Sequence, residues 1–325
     1  MTSRLASSSM NPGRLRGWKI KWFVYELKLC VAVWVYTWLV NSGKLNISAA
    51  MKVDPGGALL LVFLTLPALA IPAMRWRALL KCQEIEISLW AAIRITWAGY
   101  FATLILPGAA AGDGVKALML SILLPRDRIR ALTSIFVDRA IGLYSLLLLT
   151  TFTGVFPQGG SKSGWTMEDP AVWFNAALLT ATLVFAAIMT PVVRRKITTV
   201  LPESLRTTWK LYQYHKKTVA KCLGYSLCSN SLTILSLMAA FHAIGSPVGV
   251  PVAFKAGSLS LIASCLPLTP GGLGIGEAGA ETAFGWYGFT GGAEAMLLVR
   301  LATILWSLPG VLVSIGTADL NLRQK

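Results

Sequence analysis

Twice in this chain a proline–glycine break with a carboxylate close behind it falls inside sequence apolar enough for hydrocarbon. The first reads Leu106-Pro107-Gly108, then Gly112-Asp113-Gly114, and ends at Lys116. The second reads Leu266-Pro267-Leu268-Thr269-Pro270-Gly271-Gly272-Leu273-Gly274-Ile275-Gly276-Glu277. Backbone freed from helical hydrogen bonds at membrane depth costs several kcal/mol per unsatisfied group unless protein or a wet cavity receives it. Both breaks are therefore expected inside the protein, lining something.

The surroundings are hydrocarbon because several apolar runs reach the ~20 residues that a spanning helix needs. Only 14% of the 325 residues are charged, where a soluble chain carries roughly a quarter. The net charge of +16 raises the question of nucleic acid, but its placement answers otherwise. Of 30 Lys and Arg, 22 fall in short segments between apolar runs that are assigned to the cytoplasm, and three (Lys44, Lys52, Lys162) in outer loops. That is the positive-inside bias, and it puts both termini in the cytoplasm. Anionic lipid is the natural partner of such a surface, and no nucleic acid is expected. Oligomeric state leaves no trace in the sequence.

The order of segments predicts an all-α polytopic membrane protein with about six transmembrane helices and two opposed re-entrant helical hairpins. Residues 1–21 form a basic, partly disordered cytoplasmic N-terminus, 22–316 one membrane domain, and 317–325 a cytoplasmic tail. Spans are expected at about Phe23–Val40, Gly57–Met74, Ala131–Phe156, Ala171–Val193, Lys221–Ala243 and Ala293–Ile315. The first is read as an uncleaved span rather than a signal peptide, for lack of a small-x-small cleavage site. Hairpins are expected at Ser88–Leu124, broken at Pro107, and at Ala253–Trp286, broken at Pro267. Glu203–Lys221 places Leu205, Trp209 and Tyr212 at helical spacing among cations, the pattern of an interfacial helix.

Span, span, hairpin, span occurs twice, as repeat 1 (about 22–156) and repeat 2 (about 171–316). The offsets are steady: Arg94 to Lys255 is 161, Pro107 to Pro267 is 160, and Arg139 to Arg300 is 161. Three crossings per half is an odd number, so the second copy is expected inverted, as in transporters whose broken helices meet at the substrate site.

Ionisable groups at such depth cost about 2.5–3.5 kcal/mol on insertion scales and point to function. Asp113 and Glu277 stand at the start of the half-helices that follow the breaks. They can cap orphan amides there, or handle substrate or protons. Arg139 and Arg300 can pair with the nearest acid (Asp138 or Asp113; Glu294 or Glu277), or clamp a lipid phosphate with two donors. Inversion would set Arg139 near the inner face and Arg300 near the outer. Lys116 can pair with Asp113 one turn away, and Arg94 and Lys255 can snorkel towards opposite surfaces. Glu281, one turn beyond Glu277, makes a two-carboxylate proton site conceivable. The substrate-binding set is Asp113, Lys116, Arg139, Gly271, Gly272, Gly274, Glu277 and Arg300, the glycines offering backbone amides. Five scattered cysteines (Cys30, Cys82, Cys222, Cys228, Cys265) read as apolar fillers, and His215 and His242 have no nucleophile or ligand partner at recognisable spacing. No enzyme activity, metal or cofactor is expected.

The stretch LPG-x3-GD-x2-K, the segment VDRAIGLYSLLLL, and LP-x2-PGGLG-x2-E with a following helix ending Leu308-Pro309-Gly310 together resemble one family. It is the transmembrane, flippase-like domain family of lysylphosphatidylglycerol synthases, which also occurs in stand-alone form. The resemblance covers roughly Phe23 to Ile315. It implies a bacterial or archaeal cytoplasmic-membrane protein that moves, or helps move, a polar, phosphate-bearing lipid between leaflets. About ten residues follow 315, so the soluble aminoacyl-transferase domain of the synthases is not expected. The first motif departs from the family form, with Ala109, Ala110 and Ala111 where a further polar or Gly position is common. Two rivals stand beside the flippase reading. One is a membrane enzyme acting on lipid (pyro)phosphates, for which the second break offers only Ser264, Thr269 and acids. The other is a non-transporting lipid-binding partner of a biosynthetic complex.

Overall fold

The computed structural model describes residues 30, 33–34, 37–42, 53–105, 111–123, 128–154, 173, 176–177, 180, 211–212, 214–266, 269 and 272–308. Every secondary-structure element among them is helical, and eight helices carry the architecture. They are α1 (Pro55–Cys82), α2 (Leu89–Ile105), α3 (Ala111–Leu123), α4 (Arg128–Gly154), α5 (Lys216–Ala243), α6 (Val250–Ser264), α7 (Ile275–Gly285) and α8 (Gly292–Ser307). Of these, α1, α4 and α5 are long and apolar enough to cross a membrane. The breaking residues Pro107 and Pro267, most of the first expected span, nearly all of Ala171–Val193 and the first part of Glu203–Lys221 lie outside the described residues.

Helix α1 starts where Asp54 accepts a hydrogen bond from the Gly57 N–H (2.8 Å) and Pro55 fills the first turn. It does not stop at Met74 as hydropathy suggests. Arg75, one of the cations that the charge pattern assigns to the cytoplasm, remains in the helix and is 8% exposed. The cause lies just beyond it: Trp76, Leu79 and Leu80 are all fully buried and carry the last two turns into the protein. Helix α5 likewise begins earlier than expected, at Lys216. Tyr212 preceding it is buried with Leu79, Cys82 and Cys222 and receives a hydrogen bond from Gln83. That part of the segment expected at the membrane interface therefore packs on α1 instead.

Helices α2 and α3 form one hairpin and α6 and α7 another. At ~1.5 Å per residue the described parts of the arms measure about 26, 20, 22 and 17 Å. Both hairpins are drawn tight by a glycine at the second position of the returning helix. A Cβ on Gly112 would strike Thr103 Oγ1 and the Gly99 carbonyl; one on Gly276 would lie 2.5 Å from Ser264 Oγ. Helix α3 starts at Ala111, which places Asp113 in its first turn.

The two halves are mirrored in their packing. Helices α1 and α5 make the largest contact and run antiparallel: Gly57 meets Ala243, while Arg75 meets Ser226 and Cys222. When α1–α4 are exchanged for α5–α8, every substantial helix–helix contact maps onto another: α2–α3 onto α6–α7, α3–α4 onto α7–α8, α4–α6 onto α8–α2. Equivalent long helices in opposite directions are what an inverted repeat requires. One apolar core joins α1 with α5, α6, α7 and α8 and includes the tilted ring pair Phe241 and Phe284 (centroids 4.4 Å apart). A second joins the end of α1 to α2, α3 and the start of α4 around Trp76 and Ile95.

Candidate functional site

Each returning half-helix brings a carboxylate at its third position to an arginine in the middle of the next helix. In the first half Arg139 Nε donates to Asp113 Oδ2 at 2.5 Å. In the second, Arg300 Nε donates to Glu277 Oε1 at 2.6 Å, and its Nη2 donates to Glu277 Oε2 (3.3 Å) and the Gly272 carbonyl (3.1 Å). Of the two candidate acids for each arginine, the structure selects Asp113 and Glu277. Neither arginine sits near a helix end: Arg139 is the twelfth residue of α4 and Arg300 the ninth of α8. Helix α6 of the second hairpin packs on α4, the helix that carries Arg139.

Glu277 caps its helix as well, accepting from the Gly274 N–H at 2.8 Å, the reciprocal half of a capping box. Gly272 (φ 70°) and Gly274 (φ 78°) are left-handed, a conformation that costs a side-chain-bearing residue about 1–2 kcal/mol. That turn is what aims the Gly272 carbonyl at Arg300 and the Gly274 amide at Glu277. Gly271 lies outside the described residues.

The two pairs differ in access. The Glu277 side chain is 0% exposed and Arg300 12%; Asp113 is 18% exposed and Arg139 56%. Among the described residues Nη1 and Nη2 of Arg139 make no hydrogen bond, so most of its donor fork is available to an incoming anion.

Lys116 does not pair with Asp113. It is 8% exposed, its Nζ stands 5.4 Å from the centre of the Trp76 ring, and it makes no ion pair among the described residues. A desolvated cation–π contact gives about 2 kcal/mol, while burying an ion costs several. Trp76 therefore offsets only part of the penalty. Lys255, expected to snorkel, is instead buried beneath Tyr287 (5.6 Å).

The strongest polar cluster is one that sequence reasoning missed. Arg75 of α1 holds Asp138 of α4 with two hydrogen bonds (2.6 and 2.8 Å) and donates to Ser226 Oγ of α5 at 2.6 Å. Asn230 of α5 extends it, donating to the Gly142 carbonyl and Ser145 Oγ. The signal was the apolar Ala78-Leu79-Leu80 beyond Arg75, which continues the helix past a cation that hydropathy reads as its end.

No protein of curated function matches the chain. A match to the family described as the lysylphosphatidylglycerol synthase transmembrane region runs over residues 25–310 and takes in both hairpins, both carboxylate–arginine pairs and all eight helices. The chain is thus an all-helical, multi-pass membrane protein that belongs to the lysylphosphatidylglycerol synthase transmembrane-region family.

Proposed function

We propose that the protein moves, or helps move, a polar, phosphate-bearing lipid between leaflets. Its frame in this reading is six spans and two re-entrant hairpins in an inverted repeat, set in a bacterial or archaeal cytoplasmic membrane with both termini inside. The observation that carries it is the Asp113–Arg139 pair, which presents guanidinium donors unengaged among the described residues beside the N-terminus of α3. A lipid phosphate would enter there, replace Asp113 on part of the guanidinium fork, and leave its acyl chains in the bilayer. Rocking of one repeat against the other would then expose the headgroup to the second leaflet. The residues act here by binding; no bond is made or broken.

The test is leaflet exchange of a fluorescent anionic phospholipid in proteoliposomes, read by chemical quenching of the outer leaflet. Wild-type protein is expected to accelerate exchange over protein-free vesicles, and Arg139→Gln to return it to that background with the fold intact. Exchange by Arg139→Gln at the wild-type rate removes that residue from the mechanism. No acceleration by the wild type in either direction ends the flippase reading.

A further inference from the structure

In the first half of the molecule the cations around the ion pairs outnumber the carboxylates. Arg75, Lys116 and Arg139 are three cations set around two carboxylates, Asp113 and Asp138. Both carboxylates are taken: Asp138 by Nε and Nη2 of Arg75, Asp113 by Arg139. Lys116 is left with a ring face and no counter-charge among the described residues, although it lies within electrostatic reach of both acids. Its stem crosses Gly99 of α2, where an added Cβ would come within 3.3 Å of Lys116 Cε. One turn before Gly99, on the α2 face that meets α3, Thr96 is 0% exposed and its hydroxyl has no hydrogen-bond partner. Tyr100, on the next turn of the same face, lies near both Asp113 and Arg139.

We propose that Lys116 is the inner contact of an anion subsite in the first half, with Arg139 as its outer contact, and that the anion it takes is a phosphate group. This rests on the flippase reading only for the source of the phosphate. The site itself stands on a nine-tenths-buried ammonium that makes no ion pair among the described residues and on a buried hydroxyl without a partner, one turn from the glycine that the lysine stem crosses. A phosphate supplies what both lack: negative charge for the lysine and an acceptor for the hydroxyl. In the second half Arg300 is engaged by Glu277 and the Gly272 carbonyl, whereas two donor nitrogens of Arg139 make no hydrogen bond among the described residues.

The experiment uses the full chain purified in a neutral detergent, with thermal unfolding and calorimetric titration as readouts. The probes are inorganic phosphate, a short-chain phosphatidylglycerol, and a diacylglycerol of the same chain length as the phosphate-free control. Lys116→Met is expected to raise the unfolding temperature without ligand, because it removes an uncompensated buried charge, and to abolish the rise that the phosphate compound gives the wild type. Lys116→Gln should weaken that binding ~10-fold or more, the loss expected when a charged hydrogen-bond donor is removed. Lys116→Arg should restore most of it, and Lys255→Gln, a buried lysine in the other half, should leave it unchanged. A response to the lipid but not to inorganic phosphate assigns the subsite to a headgroup, and an equal response assigns it to free phosphate. If Lys116→Met lowers the unfolding temperature and keeps the ligand-induced rise, the subsite is refuted. Binding that needs Lys116 in a protein whose wild type exchanges no lipid would keep the subsite and dismiss the flippase.

Discussion

The α2–α3 and α6–α7 hairpins are built alike. In each, a tight glycine contact brings the arms together, and a carboxylate at the third position of the returning helix meets an arginine in the middle of the next. They nevertheless end in opposite conditions. In the second hairpin the extra methylene of Glu277 lets one carboxylate cap Gly274 and meet Arg300, and the left-handed Gly272 turns its carbonyl onto the same guanidinium. The result is enclosed. In the first hairpin the shorter Asp113 reaches one nitrogen of an arginine that stands half in the open, and a lysine is buried alongside with no carboxylate to itself. One architecture thus gives a fastening in one half and a receptive pair in the other. A buried pair is costly to break from one side only, whereas an exposed one can exchange partners at little cost.

The largest test of that contrast is Arg300→Gln, which leaves the enclosed Glu277 without its partner. It should destabilise the protein by about 3–5 kcal/mol, the range for breaking a buried pair from one side. Loss of monodisperse protein in detergent, or a large drop in unfolding temperature, is the measurement. A variant as stable as the wild type would contradict the fastening role. Next comes the glycine contact. Gly112→Ala drives a methyl group into the Gly99 carbonyl, which is backbone and cannot turn aside, so about 1–3 kcal/mol of overpacking strain is expected. Gly276→Ala meets the Ser264 hydroxyl instead, and pairing it with Ser264→Ala should recover most of the loss. Equal, unrecoverable penalties at both positions would mean that the arms differ less than their contacts suggest. The smallest stability change belongs to Arg139→Gln: within about 1 kcal/mol, since the pair is more than half exposed on the arginine side. Its expected effect is on lipid exchange, so a large fall in unfolding temperature would make the first pair a second fastening.

Much of this molecule is legible in its residues. Apolar length makes it a membrane protein of helices, and Pro-Gly pairs in apolar sequence raise the expectation of a break, because lipid tolerates no unpaired backbone. The steady offset of charges and breakers across the chain anticipates the mirrored contacts of the two halves. What the letters could not assign was pairing. Asp138 and Arg139 are neighbours in sequence, yet consecutive side chains on a helix point about 100° apart. One turns inward to Arg75, 63 residues earlier, and the other to Asp113, 26 residues earlier. Which acid meets which base, which pair is sealed from the surroundings, and which lysine is left over were decided by how helices distant in sequence pack together. Burial and proximity are properties of that packing, and hydropathy along a single chain carries neither.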